Sequence, residues 1–267
     1  MNSDANKMSP SDTDEKIGTV PWNPWLGVVF VFVVFFGSQL FGAILGSIVG
    51  AIYPVIEHFS VSQTRDWIEN SIPSHFLFVL FAETFTVGAI YLFLKARGLT
   101  MAAIGLKRPR WKDVGIGITA LPVYFILYLL TVGVVSHFVP GLDVNQQQDV
   151  GFNNVHGAGA LVLTFISLVV LPPLAEEIMV RGFLYGSLKK ALPIIWAALT
   201  TSLLFAIAHL PEGGAAGPLY IAALDTFVLS LVLIYLREKT DSLWASITLH
   251  AIKNGIAFFA IFVFNIH

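Results

Sequence analysis

Three short stretches of the 267-residue chain carry side chains able to do chemistry. They are Glu176-Glu177-x-x-x-Arg181, Phe205-x-x-x-His209 and His250-x-x-x-Asn254. Glu177 and Arg181 stand four apart with the acid first, the favourable order for a helical ion pair. Glu176 lies about 100° away around the helix, outside that pair. The same spacing sets Phe205 with His209, and His250 with Asn254, on one helix face. A carboxylate beside imidazoles in a low-dielectric cavity activates water. Donors on a neighbouring helix are what an oxyanion requires. The chemistry implied is hydrolysis of an acyl bond, most simply a peptide bond within or beside a bilayer. Each stretch alone also has a structural reading: a buried ion pair, an interfacial histidine, and an interhelical polar contact worth about 0.6–2 kcal/mol. Together they are more specific. No serine motif sits beside a histidine with a third, orienting acid. The absence of cysteine excludes a thiol nucleophile, disulfides and thiolate metal sites.

The elements that must position these residues are membrane helices. Hydrophobic residues make up 56% of the chain and charged residues 12%, about half the charged share of a soluble domain. Mean hydropathy is +0.77. This composition rules out a soluble enzyme, and a formal net charge of −2 argues against a nucleic-acid partner. At roughly 20 apolar residues per crossing, the sequence predicts an all-α polytopic bundle with seven spans. These are Leu26–Tyr53, His75–Leu94, Val114–Phe138, Gly159–Leu188, Ile194–Leu210, Leu219–Leu236 and Leu243–Phe264. Residues 1–24 read as a disordered polar tail.

Basic residues orient the bundle. With seven spans, Lys7, Lys16, Lys95, Arg97, Lys107, Arg108, Arg110, Lys112, Lys189, Lys190, Arg237 and Lys239 fall on one side, against Arg65 on the other. The positive-inside rule makes that side, and the N-terminus, cytoplasmic. Trp22, Trp25, Trp111, Trp196 and Trp244 fall at the same boundary, where aromatic rings prefer to sit.

Ionised groups at the bilayer centre cost about 2.5–3.5 kcal/mol each, so Glu83, Glu176, Glu177, Arg181, Asp225 and Lys253 should face partners or a cavity. The expectation is that Glu83 and Asp225 lie outside the reactive cluster, satisfied by hydroxyls or water. Lys253 should snorkel or meet an acid. Counting ~1.5 Å per residue, Glu176 and Asn254 lie roughly 15–20 Å above the basic edge and His209 nearer 24 Å. A single site then requires the fifth helix to tilt or to end within the membrane, with Pro211-Glu212-Gly213-Gly214 lining a cavity. That cavity is expected to open towards the basic face.

In order and spacing, the three stretches resemble the motifs of the CPBP (ABI) intramembrane proteases, a family that includes the type II CAAX prenyl endopeptidases and bacteriocin self-immunity proteins. The resemblance covers about residues 160–260, and Gly182 and Leu243-Trp244-Ala245-Ser246-Ile247 add to it. The chain then divides into three transmembrane helices over 25–158, which match no named family, and a core over 159–267 that the resemblance implies is catalytic. The resemblance implies Glu176 as the base that polarises water, with His209 assisting, and His250 and Asn254 stabilising the oxyanion. Glu177, Arg181 and Phe205 are then supporting residues. Glu176, His209 and His250 are candidate ligands for Zn²⁺, and a metal-free reading of the same residues stays open. The implied partners are membrane lipid and a peptide or lipidated-protein substrate, with the oligomeric state undetermined. The implied location is a bacterial plasma membrane. A catalytically idle scaffold or self-immunity protein is the alternative. A transporter is a third possibility, disfavoured because no internal repeat is visible.

Overall fold

The computed structural model describes residues 20–146, 151–152, 155–211 and 217–265. The polar tail over 1–19 and Glu212–Gly214 of the expected cavity stretch lie outside the described residues. Helix α1 spans Pro24–Gly50, with a further turn at Ile52–Ile56. It begins where Asn23 accepts from the Trp25 and Leu26 amides beside Pro24, an N-cap that satisfies otherwise orphan donors. Helix α2, Val61–Asn70, is a short amphipathic segment closed by a Ser60–Gln63 capping box. It is followed by α3, Ile72–Lys95, and α4, Trp111–Phe138. The long α5 runs Ala158–Ala191 and α6 runs Ile194–Ala208. Helices α7, Tyr220–Thr240, and α8, Trp244–Val263, complete the bundle. Among the described residues there is no strand.

Six of the helices are long and apolar enough to cross a membrane. They match six of the seven predicted spans to within a few residues. The remaining span, Ile194–Leu210, is a correction. Its helix, α6, has 15 residues, roughly 22 Å at 1.5 Å per residue, short of the ~30 Å hydrocarbon core. Pro193 fixes its start, and by Leu219 the chain has turned back, the Leu219 amide donating to the Leu210 carbonyl at 2.9 Å. The end of α6 therefore lies beside the start of α7.

Helices α1 and α3 pack closely because Ser38, Gly42, Gly46 and Gly50 form one buried stripe, the small-residue spacing that lets membrane helices approach. A Cβ at Gly42 would lie 2.8 Å from the Phe78 carbonyl oxygen. At the basic end, Trp22 stacks on Phe183 at 4.7 Å and donates to the Ser187 hydroxyl at 2.9 Å. Lys189 pairs with Glu238 at 2.7 Å, and Asp241 pairs with both Lys107 and Arg237. These contacts tie the α5, α7 and α3–α4 termini into one rim.

Candidate active site

The local fold of α5 begins with two prolines. Pro172 and Pro173 have no amide proton, so the Leu168 carbonyl has neither an i+4 nor an i+5 backbone donor. The helix widens into a π-helical stretch over Ile166–Val170, and Asn254 Nδ2 donates to the Leu168 oxygen at 3.0 Å. A second wide stretch, Glu177–Leu184, follows at once. Such π-helical stretches recur at functional sites because they re-aim side chains.

Glu177 and Arg181 pair as their spacing predicts. The Nη1–Oε1 distance is 2.8 Å and both side chains are fully buried. The guanidinium also lies over the Phe205 ring, 4.2 Å from its centroid. Glu177 Oε1 accepts a second hydrogen bond, from His250 Nδ1 at 3.0 Å. That bond directs His250 Nε2 towards Glu176, whose Oε2 is 3.8 Å away. The separation is too long for a direct hydrogen bond.

His209 terminates α6 with its Nδ1 2.7 Å from the Phe205 carbonyl oxygen. A carbonyl only accepts, so Nδ1 carries the proton and Nε2 is the accepting nitrogen. Its ring packs edge-on against Phe205 at 4.6 Å, and His250 packs against the same phenyl ring at 6.3 Å. Both imidazoles therefore border the Phe205 ring, which also floors Arg181.

Glu176, His209, His250 and Asn254 all line one cavity of about 410 Å³. The early end of α6 is what brings His209 to the level of Glu176. Asn254 has one of its two amide protons committed to Leu168, leaving a single donor for the cavity.

Glu83 and Asp225 line this same cavity. Asp225 is met by the Tyr124 hydroxyl and, at 2.8 Å, by the Lys253 ammonium. Lys253 thus meets an acid, but at the cavity wall, beside Asn254. Among the described residues Glu83 makes no hydrogen bond or ion pair. The cavity lining starts roughly 16 Å above the basic rim (Leu229 against Thr240, Phe205 against Ile194) and runs on to His75, Phe152 and Phe262. Below it, Leu243 packs against Gly182 and its amide donates to the Gly105 carbonyl.

The expected zinc ligands can be tested on geometry. His209 and His250 each give Nδ1 to a fixed acceptor, as metal-binding histidines do. However, among the described residues no group of three or more His, Asp or Glu side chains is gathered to hold an ion.

Neither a curated protein nor a solved structure matches the chain. A family model does. It is described as type II CAAX prenyl endopeptidase Rce1-like and matches residues 158–256, a stretch that holds all three motifs together with Asp225 and Lys253. The chain is a multi-pass helical membrane protein whose residues 158–256 are similar to the type II CAAX prenyl endopeptidase Rce1-like family.

Proposed function

We propose that the protein is an intramembrane endopeptidase of a bacterial plasma membrane, hydrolysing peptide bonds of membrane-associated or lipidated substrates with water activated by Glu176. The observation that carries this reading is the 3.8 Å gap between Glu176 Oε2 and His250 Nε2 in the shared cavity. Glu176 takes a proton from a water beside it in the cavity as that water's oxygen attacks the substrate carbonyl carbon. His209 Nε2 accepts the water's other proton as a hydrogen bond and so orients it. The carbonyl π electrons move to oxygen, and the resulting oxyanion is met by His250 Nε2–H and the second Nδ2–H of Asn254. For His250 to donate there its ring carries both protons, and the Glu177 carboxylate at Nδ1 supplies the counter-charge. Collapse of the tetrahedral species breaks the C–N bond, and Glu176 returns its proton to the leaving amine.

Arg181 and Phe205 touch no reacting atom in this scheme. They hold Glu177, and through it His250. The test is Glu176→Gln in the full-length protein. An amide of the same shape cannot act as a base, so cleavage falls by at least ~10²-fold while folded yield is unchanged. Wild-type turnover in that variant removes Glu176 from the mechanism.

A further inference from the structure

Helix α3 turns one continuous face to the cavity. His75, Phe78, Val79, Ala82 and Glu83 all line it, a spacing of three and four that keeps them on one side of a helix. Glu83 stands at the middle of this 24-residue helix, roughly 17 Å from Ile72 and 18 Å from Lys95 at 1.5 Å per residue. Its carboxyl therefore sits near mid-membrane, where an ionisable group needs a partner. Among the described residues it makes no hydrogen bond or ion pair.

The cavity holds no spare cation to meet it. Lys253 is the only lysine or arginine among the described lining residues, and its ammonium is held by Asp225 at 2.8 Å. Asp225 also takes the Tyr124 hydroxyl. Arg181 is outside the lining, fully buried against Glu177. With Lys253 and Asp225 cancelling, the described lining still carries the Glu176 and Glu83 carboxyls. Glu176 is used by the proposed chemistry, and Glu83 is not.

The Leu171–Glu176 segment of α5 packs against both α3 and α8. Glu83 on α3 and the His250–Asn254 pair on α8 thus flank the segment that carries Glu176. A peptide whose scissile carbonyl meets the α8 donors passes beside the α3 face. That face runs roughly 12 Å from Glu83 to His75, the length of about three to four residues of extended chain. We infer that Glu83 is a specificity-determining residue that receives a basic side chain of the substrate, a Lys or Arg close to the cleaved bond. An ammonium or guanidinium entering there meets an uncommitted carboxyl, whereas an acidic side chain meets like charge. The inference rests on the protease reading for the word cleaved, but the cation site can be measured without it.

Two sets of membrane-anchored reporter peptides test it, one carrying Lys and the other Met at each position in turn around the bond. With the full-length wild-type protein, kcat/KM for Lys over Met is expected to reach at least about tenfold at one position, the size of one hydrogen bond between charged groups. In Glu83→Gln that preference should disappear, and in Glu83→Asp a good part of it should remain. A wild type indifferent to Lys, or a Lys preference that survives in Glu83→Gln, overturns the inference. So does a loss in Glu83→Gln shared equally by Lys and Met peptides, which is the mark of a merely structural residue.

Binding supplies an arm free of turnover. Glu176→Gln in detergent is titrated with the same Lys and Met peptides. At one position the Lys peptide is expected to bind about tenfold tighter, and the Glu176→Gln, Glu83→Gln double variant to bind the two alike. Equal Kd values for every Lys and Met pair in Glu176→Gln overturn the inference. Tighter Lys binding without cleavage by the wild type removes the protease reading and leaves the cation site standing.

Discussion

The basic rim and the polar cavity both contain carboxylates paired with cations, yet the pairs have different physical character. At the rim, Lys189–Glu238 and Lys107–Asp241 are between about a quarter and a half exposed, the regime in which an ion pair contributes about 0.2–1 kcal/mol and is screened by salt. Each is redundant, since apolar contacts such as Trp22 on Phe183 hold the same termini. In the cavity wall, Glu177 and Arg181 are fully buried and one carboxylate oxygen serves both Arg181 and His250. Removing one member there leaves a charge that water cannot reach. The rim uses charge to mark a surface, and the cavity uses it to aim an imidazole.

The comparison breaks first at Arg181. Arg181→Ala is expected to reduce stability by about 3–5 kcal/mol by stranding Glu177, seen as loss of folded yield and a large fall in Tm in detergent. An unchanged Tm would mean that the buried pair is no different from the rim pairs. Asn254→Ala comes next. It removes one oxyanion donor, for which about 2.7–4 kcal/mol of transition-state stabilisation is the usual loss, and it also orphans the Leu168 carbonyl. Turnover should drop by about 10²-fold or more with kcat carrying the change; an effect confined to KM would make Asn254 a binding residue only.

Lys253→Met sharpens the contrast within the cavity itself. Asp225 keeps the Tyr124 hydroxyl but loses its ammonium, and about 1–3 kcal/mol should be lost for a carboxylate left short of a partner. The double variant Lys253→Met with Asp225→Asn should recover most of it, and no recovery would show that Lys253 stabilises by packing instead.

The smallest effect belongs to the rim. Burial pushes the Asp241 carboxyl upward, but hydrogen bonds and charge from Lys107 and Arg237 outweigh it and hold the group below the usual carboxylate range. A depressed folded value means that the contribution is present above the usual carboxylate range and is lost as pH falls through the folded one. Asp241→Asn is therefore expected to lower Tm slightly near neutrality and not at all in strong acid. The difference should shrink in high salt, and a difference that grows on acidification contradicts the assignment.

What was legible in the sequence depended on how local the physics was. The Glu177–Arg181 pair needs only one helix, and its spacing revealed it. Six spans needed only apolar length. The shared cavity of Glu176, His209, His250 and Asn254 was legible only as a requirement, because three helices had to bring it about. Hydropathy could not locate the end of α6, since Leu204 to Leu210 is apolar throughout apart from His209. The Asp225–Lys253–Tyr124 contact was hidden for the same reason: it depends on the relative depth of α4, α7 and α8. The amphipathic α2 was passed over because its ten residues carry no span signal.

Lipid itself responds to the shortness of α6. Leu203 and Ile207 on this helix are about half exposed, as is Trp196 near its start, so the helix borders acyl chains directly. Its apolar height of roughly 22 Å stands beside neighbours able to fill the full ~30 Å core. The bilayer against that face must thin or its chains must splay, at a fraction of a kcal/mol for each ångström of mismatch. The end of α6 bears His209, so acyl-chain length acts on the same turn of backbone that carries a candidate catalytic imidazole.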